Sequence, residues 1–199
     1  MPAAWAAGLG FKATSLVRGW MDESASLSVR SVDRFDTRHD RLWAEVSVGL
    51  RCAVVRDASY LNWKYVDQPG QSFTRLELSN GDRIVGVAVW MLRAPDQAYR
   101  YGRAFLVDLV APMTDEPLLQ RVVKAACAAV EGDGVDALLC HHIGPELTKA
   151  LRGAGFHLRQ PERYLLVDTE GLSGGTLDTV LSPEAWFVTH GDSDIDRPW

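Results

Sequence analysis

The sequence predicts an α/β (α+β) domain built on a mixed, mostly antiparallel central sheet flanked by helices, and three stretches carry that prediction. Arg103–Phe156 alternates strand, helix, strand and helix before the Gly155-Phe156 turn into another strand. Phe73–Leu78 and Arg83–Arg93 read as a hairpin joined at Asn80-Gly81, because Asn-Gly accepts the positive φ of a two-residue turn. Leu27–Val32 alternates apolar and polar residues, as a half-buried first strand would, and runs on into a helix.

In chain order, Met1–Trp20 is rich in Ala and Gly and offers Ser15-Leu16-Val17 as a short strand. After Leu27–Val32, Asp33–Asp36 leads into a helix over Thr37–Val48 with Leu42, Trp43 and Val46 on its inner face. Cys52-Ala53-Val54-Val55 is a short extended piece. Asp57 then caps a helical turn through Tyr60, Leu61, Trp63 and Lys64, which Asp67-Gln68-Pro69-Gly70 ends. Beyond the hairpin, Ala94–Arg100 connects to the apolar run Ala104–Val110, long enough for a central strand and stopped by Ala111-Pro112. Leu118, Val122, Ala125, Ala126 and Ala129 recur at helical spacing across Pro117–Val130, so that helix packs one face on the sheet. Val135–His142 is a second buried strand, Glu146–Ala154 a short helix ended by Gly155, and Trp186–Thr189 a late strand. The expected division is a leader over 1–24, a domain over 25–170, and a C-terminal strand and tail over 171–199.

A chain of 199 residues with 47% hydrophobic and 24% charged residues is long enough for one well-packed domain. A net charge of -5 and no cluster of Lys and Arg argue against nucleic acid as a partner. No apolar stretch reaches the roughly 20 residues that span a bilayer, and Met1–Phe11 lacks the basic start and continuous apolar core of a signal peptide. A cytoplasmic protein without a membrane partner is the expectation. Cys52, Cys127 and Cys140 are odd in number, widely spaced and set in apolar runs, which predicts reduced core thiols.

The element order, with Ile84-Val85-Gly86-Val87-Ala88-Val89, Leu106-Val107-Asp108-Leu109-Val110-Ala111-Pro112 and Leu151-Arg152-Gly153-Ala154-Gly155-Phe156, resembles the GNAT superfamily of N-acyltransferases over roughly Leu27 to Asp168. Arg56-Asp57-Ala58-Ser59-Tyr60-Leu61-Asn62-Trp63-Lys64-Tyr65 and Trp186-Phe187-Val188-Thr189-His190-Gly191-Asp192-Ser193-Asp194 are more particular, and resemble a bacterial group of GNAT-like proteins compared with Fem-type aminoacyl transferases. Gly8-Leu9-Gly10-Phe11-Lys12 is similar to Gly153-Ala154-Gly155-Phe156-His157, so the first residues read either as a leader or as the remnant of a preceding GNAT-like half. The chain then resembles the second half of a tandem protein.

The resemblance implies acyl transfer from acetyl-CoA, or another acyl-CoA, to a small-molecule amine or amino-sugar acceptor, with no metal. The fourth strand and the helix after it would hold the co-substrate, with Leu109 and Val110 supplying backbone N–H groups to the thioester carbonyl and Leu118 lying on the helix. In the superfamily, spaced glycines and a basic residue cradle the pyrophosphate at the helix start. Here Met113-Thr114-Asp115-Glu116-Pro117 has neither, and Leu151 stands where many relatives carry a Tyr as general acid. The alternative is therefore a non-catalytic GNAT-like module that binds a ligand or completes a tandem partner, or a homodimer. A Fem-like use of aminoacyl-tRNA sits poorly with the acidic balance.

Among chemistry-bearing residues, Asp108 lies inside an apolar strand, where burial favours a carboxylate basic enough to take a proton from an ammonium. The other reading is a structural pair with an arginine, Arg56 or Arg103. Asn62, Trp63 and Tyr65 are candidates to line an acceptor pocket, or else core residues at helical spacing. Glu77 is a further candidate base, read more simply as an exposed strand carboxylate. His141 and His142 are adjacent on a strand and face opposite ways, so they do not share a metal ion; Cys140 and His142 share a face without a second ligand pair. Asp192-Ser193-Asp194-Ile195-Asp196 starts like a calcium loop, but Arg197 replaces the needed Gly, leaving a tail or a cap that bonds backbone N–H groups.

Overall fold

The computed structural model describes residues 6–10, 27–70, 72–131, 134–159 and 165–193. The expected strand Ser15–Val17 lies outside them. The elements are β1 (Ala6–Gly10), β2 (Ser28–Ser31), α1 (Thr37–Ser47), β3 (Cys52–Ala53), α2 (Ala58–Tyr65), β4 (Thr74–Asn80), β5 (Arg83–Arg93), β6 (Arg103–Val110), α3 (Glu116–Ala128), β7 (Ala137–Ile143), α4 (Pro145–Gly153), β8 (Leu158–Arg159), α5 (Gly174–Leu181) and β9 (Trp186–Thr189), with a 3-10 turn over His190–Asp192. This is an α+β architecture with a mixed sheet flanked by helices.

Local chemistry sets the helix starts. Asp36 caps α1 in a capping box with His39, and Asp57 caps α2 by accepting from the Tyr60 N–H at 2.8 Å, as the sequence predicts. The segment 171–199, read as strand and tail, also holds α5, none of whose residues is buried. Its weak apolar pattern gives no periodic signal.

The sheet runs β2-β4-β5-β6-β7-β1-β8, and in that path β6 and β7 alone are parallel. β4 and β5 form the expected hairpin, but its two-residue turn is Gly81-Asp82, one position later than Asn80-Gly81. Asn80 pairs with Arg83, and Gly81, at φ +59°, takes the positive φ as first turn residue. The core has two layers. α3 and α4 cover one face with Leu119, Val122, Ala126, Leu147 and Leu151. α1 and α2 cover the other with Leu42, Val46, Leu61 and Tyr65.

Two irregularities of β6 position the site. Val89 pairs with Asp108 but Trp90 pairs with Leu106, so Val107 is an extra residue, a bulge that re-aims the strand beside Asp108. β6 and β7 pair only from Arg103↔Ala137 to Leu106↔Cys140. Beyond that point β9 pairs with β7 at His142↔Thr189, while the Thr189 hydroxyl reaches Asp108 on β6. The late strand and its turn therefore stand between the two parallel strands. Among the described residues, no helix is long and apolar enough to cross a membrane.

Candidate functional site

The two stretches singled out as particular in the sequence meet at Asp108. Asp108 is 1% exposed, and its Oδ1 accepts from Arg56 Nε at 2.8 Å and from the Leu109 N–H at 2.9 Å, with the Thr189 hydroxyl at 3.1 Å. Its Oδ2 accepts from the Tyr65 hydroxyl at 2.8 Å. Of the two arginines considered, Arg56 is the partner; Arg103 pairs instead with Asp96 at 2.5 Å and lies over the Tyr99 ring.

Arg56 is wholly buried and each of its three nitrogens is engaged. Besides Asp108, it donates to the Val54 carbonyl at 2.8 Å, to the Thr189 hydroxyl at 3.2 Å and to Asp192 Oδ2 at 2.5 Å. Asp192 Oδ2 also accepts the Thr189 N–H at 2.8 Å, which makes it the cap that the tail motif predicts. Burial alone would lower the Arg56 pKa, but the charges of Asp108 and Asp192 outweigh it and the guanidinium stays charged. Burial pushes the Asp192 carboxyl up; Arg56 pulls it down and Asp108 pushes it up again. Burial, then the charge of Asp108, raises the Tyr65 phenol well above its ordinary value.

The remaining predicted site residues do not converge on one pocket. The Asn62 amide bonds both the N–H and the carbonyl of Phe35 at 2.9 Å, clamping α2 to the loop before α1. Trp63 is 53% exposed and tilts against Tyr60. Only Tyr65 reaches Asp108. Leu109 and Val110 are buried in opposite core layers, and the Leu109 N–H points to Asp108. At the start of α3, the Leu118 N–H donates to Asp115 Oδ1 at 3.1 Å, and Glu116 pairs with Lys149 at 2.6 Å. Leu151 is 1% exposed, inside the α3–α4 layer.

Glu77 corrects the reading of an exposed strand carboxylate: it is buried, because its strand lies one in from the sheet edge beneath α1. Arg30 bonds its Oε1 at 2.7 Å, while Arg38 and His39 Nε2 each lie 3.4 Å from Oε2. Burial raises the Glu77 pKa, but the Arg30 hydrogen bond and the flanking charges leave it below the ordinary value.

All three cysteines are free thiols, and burial pushes those of Cys127 and Cys140 far up, so they stay protonated. His142 is buried, with Nε2 2.8 Å from Thr148 Oγ1. The Thr148 hydroxyl donates to the Gly144 carbonyl at 2.9 Å, so it accepts from His142, which must carry its proton on Nε2. Burial, and then the charge of His141, lowers the His142 pKa to about 4. His141 itself stacks edge-on against His190.

The structure brings together Asp108, Tyr65 and Asp192, which the sequence singles out as a base or structural pair, a pocket or core residue, and part of a tail or cap; Thr189, the group that joins them, is not singled out. Its one signal was membership in the particular Trp186–Asp194 stretch. Compared with known proteins, the chain matches no family model and no curated sequence.

Proposed function

We propose that this chain is a non-catalytic GNAT-like module that binds a ligand or completes a GNAT-like partner. One observation carries the reading: Asp108 is 1% exposed and both of its oxygens accept hydrogen bonds from groups that hold the fold together, so the carboxylate is shut away from an incoming amine. Supporting it, Asp115 takes an N–H at the start of α3, and β9 with its turn fills the opening between β6 and β7.

A second reading, transfer of an acyl group from acetyl-CoA or another acyl-CoA to an amine or amino sugar, draws its support from the strand geometry. A bulged strand, parallel to its neighbour and diverging from it just before a helix, fits the GNAT-like order of elements. Calorimetry with acetyl-CoA and longer acyl-CoAs, with thiol release measured over a panel of amines, separates the two. The module reading expects neither heat nor thiol. Turnover that disappears in a folded Asp108→Asn variant would overturn it.

A further inference from the structure

Ahead of β9 the chain runs on the outside of the molecule. None of the described residues 165–184 is buried, and α5 within them meets the body through an exposed hydrogen bond from Arg51 to Thr179 at 2.8 Å. Burial resumes only with Ala185, Phe187, Thr189, His190 and Gly191. Residues 185–193 are therefore a small anchor at the end of an unburied tether.

The anchor is seated on short ladders. β9 pairs with β3 at Cys52↔Trp186 and Ala53↔Phe187, and with β7 at His142↔Thr189 and Ile143↔Val188, whereas β5 pairs with β6 all along Val87–Arg93. Phe187 is its one large apolar side chain in the core among the described residues. The rest of its grip is polar: Thr189 and Asp192 on Arg56, and Thr189 on Asp108. Such a seal opens more easily than an apolar core, because water takes up the polar groups that part and the freed backbone regains its conformational entropy. The centre behind it stays assembled without the anchor. Asp108 keeps Arg56 Nε, the Leu109 N–H and the Tyr65 hydroxyl, and Arg56 also keeps the Val54 carbonyl. Arg56 Nη2 is the nitrogen set free.

We propose that residues 185–193 form a strap that leaves the opening between β6 and β7 as a unit while both core layers stay folded, and that its departure uncovers the Arg56, Asp108 and Tyr65 centre. In the closed chain Asp192 Oδ2 occupies Arg56 Nη2, Gly191 lies against the Tyr65 hydroxyl, and the His190 ring packs 5.7 Å from Phe105 and 5.1 Å from His141. Opening removes these contacts together. The strap is thus an autoinhibitory contact, sitting on the donor that the bare centre presents to solvent. This movement stands apart from the choice between module and transferase.

Hydrogen exchange of the full chain, read by mass spectrometry, compares the amides of 186–192 with those of the β5–β6 ladder. The strap amides are expected to exchange together, at least about a hundredfold faster than those of Val87–Met91. Ile143→Cys with Val188→Cys puts thiols on directly paired positions, where Cα atoms about 4.5–5.5 Å apart suit a disulfide. A Cys52→Ser background removes the half-buried native thiol beside β9. Oxidation should bring strap exchange to within about tenfold of the ladder, and dithiothreitol should restore the difference. Leu42→Ala thins the other core layer, so it should speed the ladder and leave the strap rate unchanged. Strap and ladder exchanging at one rate, a strap rate untouched by the disulfide, or a strap that accelerates with the ladder in Leu42→Ala would each overturn the proposal. The first comparison needs only the native chain, so it decides even where a variant does not fold.

Discussion

The Tyr65 hydroxyl donates to Asp108 Oδ2 across 2.8 Å, and this bond ties the end of α2 to the bulged centre of β6. Tyr65 is the one group bonded to that oxygen among the described residues, while Oδ1 has three neighbours. Asp108 is thus held from two directions by separate elements.

Removing that hydroxyl tests how much of the fold hangs on it. Tyr65→Phe strands a buried carboxylate oxygen, and the expected loss is about 1–3 kcal/mol in urea-induced unfolding. A loss confined to catalysis, with stability unchanged, would speak against a structural centre.

Gly191 follows from the same packing. A Cβ at this position would stand 2.1 Å from the Tyr65 hydroxyl oxygen and 3.2 Å from the Val107 carbonyl, so Gly191→Ala should be strongly destabilising. In the Tyr65→Phe background the penalty should shrink, giving a coupling on the order of 0.5–3 kcal/mol in a double-mutant cycle. Simple additivity would mean that the close approach is relieved elsewhere.

Arg56→Met leaves Asp108 and Asp192 buried without their shared cation. The expected cost is about 3–5 kcal/mol by thermal or chemical unfolding, larger than that of Tyr65→Phe. The order of the two losses is the measurement, and its reversal would remove Arg56 from the centre of the network.

His142 sets a pH dependence with a definite sign. Its ordinary value of 6.5 falls to about 4 in the folded chain, so between these limits the unfolded chain holds more protons. Stability is complete above the upper value and declines as pH drops toward the lower one. The full loss is on the order of 3 kcal/mol. Unfolding curves across that window should slope in the native protein and flatten in His142→Gln; an identical slope in both would assign the effect to other groups.

How much was legible in the sequence follows from how far apart the interacting groups lie. The Asp57 cap, the lead of Asp33–Asp36 into α1, the strand–helix alternation of Arg103–Phe156 and the hairpin were all readable, because a cap or an apolar period involves residues a few positions apart. Even there, the turn register depended on which residue took the positive φ, and the β-ladder placed Gly81 first. Burial of Glu77 was hidden because a single strand does not reveal how far it lies from the sheet edge.

By itself the sequence determined the kinds and order of the elements from β2 to α4, and β9, but not β1 or α5; it also determined the apolar faces of α1 and α3 and the free state of the cysteines. The tertiary structure alone decided that Arg56, Tyr65 and Thr189 gather on Asp108 and that Asp192 closes on Arg56, 136 positions away in sequence. The physical reason is that a polar group's partner is chosen by burial. A carboxylate shut away from water must find its donors among whatever the packing brings within 3 Å or so, and no local period records that choice.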